Sequence, residues 1–177
     1  MINVTQPDQR VAVFVDVQNM YYSAKNLYNS FVDFGAILKN TLGKRKLIRA
    51  FAYVIKAETG AENQFFNSLS VKGFEVKSKD LQIFYGGNKK GDWDVGLCMD
   101  VIRMIPRIDA VVLVSGDGDY SELVEYAKSQ GVRVEVAAFA KTASSKLIDT
   151  CDYFYDLSLD SKKYLIKKWL REFLKSF

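Results

Sequence analysis

The segment "VVLVSGDGDY" combines an apolar run, typical of a buried strand, with two carboxylates placed directly after it. These carboxylates belong to Asp117 and Asp119. Asp16 likewise ends the apolar run "RVAVFVD", and Asp94 follows the loop-like "NKKGDW". Clustered carboxylates without histidine or thiolate partners are the ligands that magnesium and manganese prefer. The four aspartates are therefore our candidate metal ligands and catalytic residues.

These acids come together only if the elements that carry them form one sheet. Apolar and amphipathic stretches alternate along the chain, which is typical of a parallel sheet with helices on both faces. The predicted fold class is therefore α/β, with three layers and a mostly parallel central sheet. We predict strands at 10–16, 46–55, 110–115 and 132–139, and helices at 20–29, 33–42, 61–72, 93–105 and 121–130.

The carboxyl edge of such a sheet is where a ligand site lies. Asp16, Asp117 and Asp119 follow strands that end at this edge, and Asp94 opens a helix that starts there. At about 4 Å and an effective dielectric near 20, each pair of like charges costs roughly 4 kcal/mol, which a bound cation or a raised pKa would relieve. Taken singly, each aspartate is more typical of a turn or a helix cap, and Asp119 fits the N-cap of the helix in "DYSELVEYAK".

The composition narrows the chemistry that is available. The chain has 177 residues and is 49% hydrophobic, enough for one domain with a sizeable core. It contains no histidine, which excludes Ser/His/Asp triads, histidine general bases and histidine-bound zinc. A formal net charge of +4 is compatible with a polyanionic partner. Cys98 and Cys151 lack metal or redox spacing, and we expect both to be buried free thiols.

Four separated motifs carry a family resemblance: "VFVDVQNM", "KKGDWDVGLCMD", "VVLVSGDGDYSELVEYAKSQGVRVEV" and "SSKLIDTCDYF". In this order they resemble the motifs of the NYN domain, in the LabA-like branch of the PIN-like nuclease superfamily. The resemblance covers about residues 11–157. It implies a doubly wound domain that cleaves phosphodiester bonds, most often in RNA. It also implies that acids matching Asp16, Asp94, Asp117 and Asp119 bind magnesium or manganese.

The resemblance further implies supporting residues. Asn19 and Ser115 match polar residues that line the site, and Asp100 matches a recurrent acid. Six residues along a helix correspond to about 240° of arc, so we expect Asp100 to lie on a different face from Asp94 and to have a supporting role.

Other side chains near the acids are candidates for nucleic-acid contacts. Lys90, Lys141 and Ser144 are candidates to contact backbone phosphates, with ordinary surface residues as the alternative. Tyr21 and Tyr22 are candidates to stack an unpaired base, with packing against the core as the alternative.

The sequence thus predicts a metal-dependent, ribonuclease-type phosphodiesterase. One or two cations held by the four aspartates would lower the pKa of a bound water and stabilise the leaving oxygen. The alternative is a catalytically weak or inactive NYN module that binds RNA or a protein partner for regulation. A haloacid-dehalogenase-type phosphatase is excluded because the first strand does not end in DxD. Separately, the chain contains no GxxxxGK[ST] phosphate-binding loop.

We expect the NYN domain at residues 1–160 and a C-terminal amphipathic helix at 161–177. Leu165, Trp169, Leu170 and Phe173 recur at helical spacing, so this helix is predicted to pack on the domain or on a second copy of the chain; a nucleic-acid or membrane contact is the alternative. The chain shows no membrane-length apolar run and no signal-peptide pattern. We therefore expect a cytoplasmic protein with no membrane partner. The family resemblance implies a nucleic-acid partner, RNA more often than DNA, and packing of the C-terminal helix on a second copy would give a homodimer.

Overall fold

The computed structural model describes residues 5–56, 62–80, 82–83, 89–90 and 93–166. Its strands are β1 (Arg10–Asp16), β2 (Phe31–Val32), β3 (Lys46–Lys56), β4 (Glu75–Asp80), β5 (Gln82–Ile83), β6 (Lys89–Lys90), β7 (Ala110–Val114), β8 (Arg133–Ala138), β9 (Tyr153–Asp156) and β10 (Leu165–Ile166). Its α-helices are α1 (Val17–Tyr28), α2 (Phe34–Leu42), α3 (Glu62–Val71), α4 (Asp94–Met104), α5 (Ser121–Ser129), α6 (Ser145–Thr150) and α7 (Ser161–Tyr164). Short 3-10 turns lie at Ile105–Arg107, Gly118–Tyr120 and Ala140–Thr142.

Six of the strands form one parallel sheet in the order β4-β3-β1-β7-β8-β9. In the middle of this sheet, Val15 of β1 lies beside Val114 of β7 on one side and Ala52 of β3 on the other. The chain winds from β1 outward through β3 and β4, then returns to β7 and winds outward in the opposite direction. The crevice between the carboxyl ends of β1 and β7 is therefore the topological switch point of the sheet, where open α/β folds bind ligands.

Helices cover both faces of the sheet, which confirms the predicted three-layer α/β fold. Helices α1, α2 and α3 pack on the face that includes Val11, Val13 and Val15. Helices α4, α5 and α6 pack on the opposite face, against Ala12 and Phe14. All five of these β1 residues are at most 1% exposed. The unbroken apolar run of the first strand is thus explained by burial on both sides.

The predicted strands and helices are all present, with bounds close to those expected. The two edge strands, β4 and β9, are not among the four predicted strands. The segment "YFYD" of β9 is short and its residues are all only partly buried. Both strands lie at an edge of the sheet, where a strand needs no continuous apolar run.

The predicted C-terminal helix begins at the expected residue, Ser161, but within the described residues it is only one turn long. Helix α7 ends at Tyr164, and Leu165 and Ile166 form β10, which pairs antiparallel with Val32 and Phe31 of β2. Leu165 therefore packs from a strand rather than from a helix. Trp169, Leu170 and Phe173 lie outside the described residues.

Two further expectations concern cysteines and membranes. Both cysteines are free, but only Cys151 is buried; Cys98 on α4 is half-buried. None of the described helices combines the length and apolar character needed to cross a bilayer.

Candidate active site

Asp16 is the last residue of β1 and lies at the switch point. Its Oδ1 atom accepts a hydrogen bond from the backbone N–H of Asn19 at 3.0 Å, so that Asp16 caps helix α1. The helix consequently begins at Val17, earlier than the predicted residue 20. A carboxylate at this position also interacts favourably with the positive end of the helix dipole. One residue thus ends the central strand, starts the first helix and places a carboxylate at the sheet edge.

Burial raises the pKa of Asp16 from 3.8 to about 6. The charges of Asp94 and Asp117 shift it in the same direction, whereas hydrogen bonds from Asn19 and Ser115 oppose the rise. A carboxyl group whose pKa is strongly perturbed, in a cleft, is typical of functional sites. At neutral pH Asp16 is therefore ionised but poorly solvated, a state that a cation would stabilise.

The phenol of Tyr120 joins two of the predicted acids. Its oxygen lies 2.9 Å from Oδ1 of Asp94 and 3.4 Å from Oδ2 of Asp16. Tyr120 is 1% exposed. Burial, together with the charges of the two acids, raises the pKa of Tyr120 above its usual value. The phenol therefore stays protonated and acts as a hydrogen-bond donor to these carboxylates. The first residue of α4 and the last residue of β1 thereby meet at one buried hydroxyl group.

Asp117 lines the same cavity as Asp16 and Asp94, whereas Asp119 does not. Oδ1 of Asp117 accepts the backbone N–H of Asp119 at 3.0 Å and so caps the turn Gly118–Tyr120. Asp119 itself is exposed. Helix α5 has Tyr120 at its N-cap, with no side-chain cap, so the alternative role of Asp119 as the N-cap of this helix is wrong. The loop brings one of its two acids into the site and leaves the other in solvent.

The carboxylates of Asp16, Asp94 and Asp117 line a cavity of about 380 Å³. Its wall combines the three carboxylates with uncharged polar and aromatic side chains. The uncharged lining residues are Gln18, Asn19, Tyr22, Ser23, Asn26, Tyr53, Ile55, Trp93 and Thr142.

Asn19 and Ser115 connect the loop after β7 to the end of β1. Oδ1 of Asn19 accepts the backbone N–H of Gly116 at 2.9 Å. Oγ of Ser115 accepts the backbone N–H of Asp117 at 3.2 Å and lies 3.4 Å from Oδ2 of Asp16. Asn19 also lines the cavity, but Ser115 is completely buried. Ser115 therefore positions the acids from inside the protein and does not face a substrate.

Two of the predicted phosphate-binding residues, Lys141 and Ser144, are not part of the cavity wall. The side chain of Lys90, in β6, lies outside the described residues. Lys141 is exposed, next to Thr142, which does line the cavity. Ser144 precedes α6 and packs against Gly118, where an added Cβ atom would lie 2.7 Å from the serine Oγ. Lys141 is thus placed near the cavity, while Ser144 contacts the loop that carries the acids.

Asp100 lies on the buried side of α4, away from the cavity, as its spacing from Asp94 predicts. Its carboxylate accepts the O–H of Tyr53 at 2.9 Å and contacts the ammonium group of Lys77 at 2.5 Å. Burial acts to raise the pKa of Asp100, but the hydrogen bonds from Lys77, Tyr53 and Arg103, together with the charge of Lys77, outweigh it, and the pKa is lowered. Tyr53 lines the cavity and packs edge-on against Trp93, with ring centroids 5.3 Å apart. Asp100 therefore holds part of the aromatic wall.

Sequence reasoning missed several residues of this wall. Tyr53 lies in an apolar run, where an aromatic side chain is indistinguishable from core. Gln18 and Asn26 share a helix face with Tyr22, and this spacing would have identified them once α1 was known to begin directly after Asp16.

Residues 10–160 match the family model of the NYN domain. The chain belongs to the NYN domain family. These domains are generally nuclease-like and RNA-related. Low amplitude and bright protein LabA from Synechococcus elongatus is 26% identical over 167 residues, covering 89% of this chain and 88% of LabA. This chain is therefore a LabA-like NYN protein.

A solved structure of a protein of unknown function from Vibrio parahaemolyticus shares the same fold. It is 34% identical to this NYN protein, with a TM-score of 0.83, and the match covers 93% of this chain and all of the other. The two proteins are therefore similar both in sequence and in the arrangement of their strands and helices.

The carboxylates of this NYN domain fit a hydrated magnesium or manganese ion. Within the described ranges, no three acidic or cysteine side chains are grouped closely enough to form a complete metal centre. Magnesium, however, is commonly held by only one or two carboxylates and keeps several of its waters. Asp16 and Asp94 provide such a pair on either side of the Tyr120 hydroxyl, and Asp117 lines the same cavity. All of these donors are oxygen atoms, as a hard cation requires.

Proposed function

We propose that this protein is a magnesium- or manganese-dependent phosphodiesterase that cleaves RNA. The observation that carries the proposal is the cavity at the switch point, where three separate elements contribute the carboxylates of Asp16, Asp94 and Asp117 to one space. Membership of a nuclease-like, RNA-related family supports the same reaction class. The absence of histidine from the whole chain leaves carboxylates as the groups best suited to this chemistry.

Asp16, Asp94 and Asp117 would hold the cation, which when bound supplies the positive charge that activates water and stabilises the leaving oxygen. A backbone N–H and a side-chain hydroxyl keep two of these ligands in place. The N–H of Asn19 orients Asp16, and the Tyr120 hydroxyl orients Asp94. With a pKa of about 6, Asp16 has released its proton at neutral pH and presents a carboxylate to the site.

Cleavage of RNA in the presence of manganese tests this proposal. Labelled single-stranded RNA and DNA are incubated with the protein, with manganese and with EDTA. Asp94→Asn keeps the side-chain shape and removes a ligand charge, so we expect the cleavage rate to fall at least about a hundredfold. Asp149→Asn, which changes an exposed carboxylate on α6 outside the cavity, is the matched control and should cleave normally. A wild-type protein that leaves RNA intact in manganese contradicts the proposal.

The two acids of the loop after β7 give a sharper comparison. Asp117 lines the cavity and Asp119 is exposed outside it. Asp117→Asn should therefore abolish cleavage, whereas Asp119→Asn should change the rate by no more than about threefold, as expected for a surface charge. Equal losses in both variants would restore Asp119 to the ligand set that the sequence predicts.

One observation favours a second candidate, a regulatory NYN module that binds RNA without cleaving it. Among the described residues, the acids do not form a complete metal centre as they stand. Calorimetric titration with manganese separates the two functions. A nuclease should bind manganese at micromolar concentration and lose this binding in Asp94→Asn, whereas a regulatory module should bind RNA and give no manganese signal.

A further inference from the structure

Helix α1 presents uncharged side chains to the cavity. Gln18, Asn19, Tyr22, Ser23 and Asn26 all line it, and their spacing places them on one face of the helix. These lining residues carry amides, hydroxyls and one exposed aromatic ring. Lys25, the one cation of α1, does not line the cavity; its ammonium group lies over the ring of Tyr21, 5.6 Å from the centroid. Amides and aromatic rings together are the groups that recognise an unstacked nucleobase, through hydrogen bonds to its edge and stacking on its face.

Some of these groups are engaged within the protein and others are available. Asn19 accepts the N–H of Gly116, and the hydroxyl of Thr142 contacts that of Ser23 at 3.0 Å. In contrast, the side-chain amides of Gln18 and Asn26 make no hydrogen bond within the part of the chain that is described. Each amide therefore retains both a donor and an acceptor for a ligand.

Tyr22 is the residue of this face that is suited to stacking. It is 51% exposed, although it lies in the cavity wall. The ring of Tyr21 meets it edge-on at 5.4 Å and packs in turn on Phe31 at 6.2 Å. The two tyrosines considered from the sequence thus have different roles. Tyr21 braces the ring of Tyr22, and Tyr22 remains open to a ligand.

Another part of the wall is apolar and fixed in position. The indole N–H of Trp93 donates to the carbonyl oxygen of Val54 at 2.8 Å, and its ring packs over Gly96, where an added Cβ atom would come within 2.6 Å. Tyr53 and Ile55 continue this part of the wall. The cavity volume, about 380 Å³, is in the range of pockets that bury small ligands.

We propose that this cavity holds one unpaired nucleobase of the bound strand, with Tyr22 stacked on the base and Gln18 and Asn26 hydrogen-bonded to its edge. The position of the neighbouring phosphate, beside Asp16 and Asp94, rests on the proposed function. The base site adds a requirement for a single strand, because a base must leave its duplex stack to enter the cavity.

Binding of a short fluorescent single-stranded RNA in EDTA, followed by anisotropy, tests this base site without cleavage. We expect Tyr22→Leu to weaken binding about tenfold, as loss of one base–aromatic stack does, and Tyr22→Phe to stay within about twofold of the wild type. Tyr126→Leu is the matched control, because Tyr126 is 44% exposed on α5 and lies outside the cavity. This variant should bind RNA like the wild type.

The same RNA backbone without its bases makes the assignment specific. The wild type should bind this abasic strand at least as weakly as Tyr22→Leu binds the normal strand, because the abasic strand also lacks the base edge that Gln18 and Asn26 contact. Tyr22→Leu should cause no further loss on the abasic strand. Normal binding by Tyr22→Leu, or equal losses on both strands, overturns the base site. Manganese-dependent cleavage is scored separately, so a protein that shows Tyr22-dependent binding but no cleavage keeps the base site and refutes the nuclease.

Discussion

Burial has the largest influence on the ionisation of Asp16. The sequence led us to expect repulsion between carboxylates as the main cost, yet the charges of Asp94 and Asp117 contribute less to the raised pKa than removal from solvent does. Neutralising one neighbouring acid would therefore leave much of the free-energy cost of ionising Asp16 in place. Only a ligand that compensates the charge of Asp16, or a change of Asp16 itself, removes it.

The free-energy cost of burying the ionised Asp16 carboxylate should appear as a pH-dependent loss of stability in metal-free protein. The pKa of Asp16 is 3.8 when unfolded and about 6 when folded, so the folded state binds the proton more tightly. The free energy of unfolding contributed by Asp16 should therefore fall as pH rises from about 4 to about 7, by up to about 3 kcal/mol. Asp16→Asn cannot ionise and should be the more stable protein at neutral pH but not near pH 4. Urea unfolding in EDTA at both pH values measures this difference, and a variant less stable than the wild type at neutral pH contradicts it.

The hydroxyl of Tyr120 should contribute to the site more than to stability. Tyr120→Phe keeps the buried ring and removes the donor to Asp94 and its contact with Asp16. We expect the free energy of unfolding to change by about 1 kcal/mol, and manganese-dependent cleavage to fall about tenfold because Asp94 loses its orientation. Urea unfolding and RNA cleavage on the same preparation test this. A cleavage rate equal to that of the wild type would show that the hydroxyl does not position the acids.

At the scale of elements, an ion pair anchors the amino end of β8 far from the cavity. The guanidinium of Arg45, in the turn before β3, donates to both oxygens of Glu135 at 2.9 and 2.8 Å, and the two side chains are 2% and 0% exposed. Arg133 and Tyr155 also donate to this carboxylate. Removing one charge from such a network leaves its partners buried without compensation.

Glu135→Gln should therefore destabilise the protein by about 3–5 kcal/mol. The control is Asp109→Asn at the ion pair with Arg10, whose side chains are 40% and 47% exposed, and it should cost at most about 1 kcal/mol. Urea unfolding of both variants at neutral pH gives the comparison. Similar small losses in the two variants would mean that the buried pair is replaceable by a neutral hydrogen bond.

The elements that the sequence predicts well are those buried on two faces. β1 and β7 have unbroken apolar runs, and their helical neighbours show clear amphipathic spacing, so their bounds follow from local pattern. The bounds of the short strands β9 and β10 do not, because the pairing of β9 with β8 and of β10 with β2 depends on distant residues. Leu165 has an apolar side chain at helical spacing, but its backbone pairs with Val32 instead.

For the whole molecule, topology explains why the site was partly predictable. Parallel strands bring their carboxyl ends to one edge, which was sufficient to place Asp16, Asp94 and Asp117 at a single cavity. Asp119 lies outside this cavity, and the sequence does not show this because the orientation of a side chain within a short 3-10 turn is not encoded by its distance from a strand. Tyr53 was missed because it lies both in the hydrophobic core and in the cavity wall, and an aromatic residue within an apolar run is typical of the core alone.

Manganese should stabilise the whole domain, because it binds the folded state and not the dispersed acids of the unfolded chain. At about a hundredfold excess over its dissociation constant the gain is about 2.7 kcal/mol, or roughly 5–10 °C in melting temperature for a chain of this size. Zinc, which favours nitrogen and sulfur ligands, should give no comparable specific effect. Thermal melting at neutral pH with manganese, magnesium, zinc or EDTA measures these shifts.

The pH dependence of that stabilisation separates a site at Asp16 from general surface binding. Below about pH 6 the Asp16 carboxyl carries a proton that cation binding must displace, so the affinity should fall by up to about tenfold per pH unit. Asp94→Asn should lose the manganese shift at every pH, while Asp149→Asn should retain both the shift and its pH dependence. A shift that persists unchanged near pH 5, or in Asp94→Asn, would place the bound manganese elsewhere, because only a site that uses the Asp16 carboxylate competes with this proton.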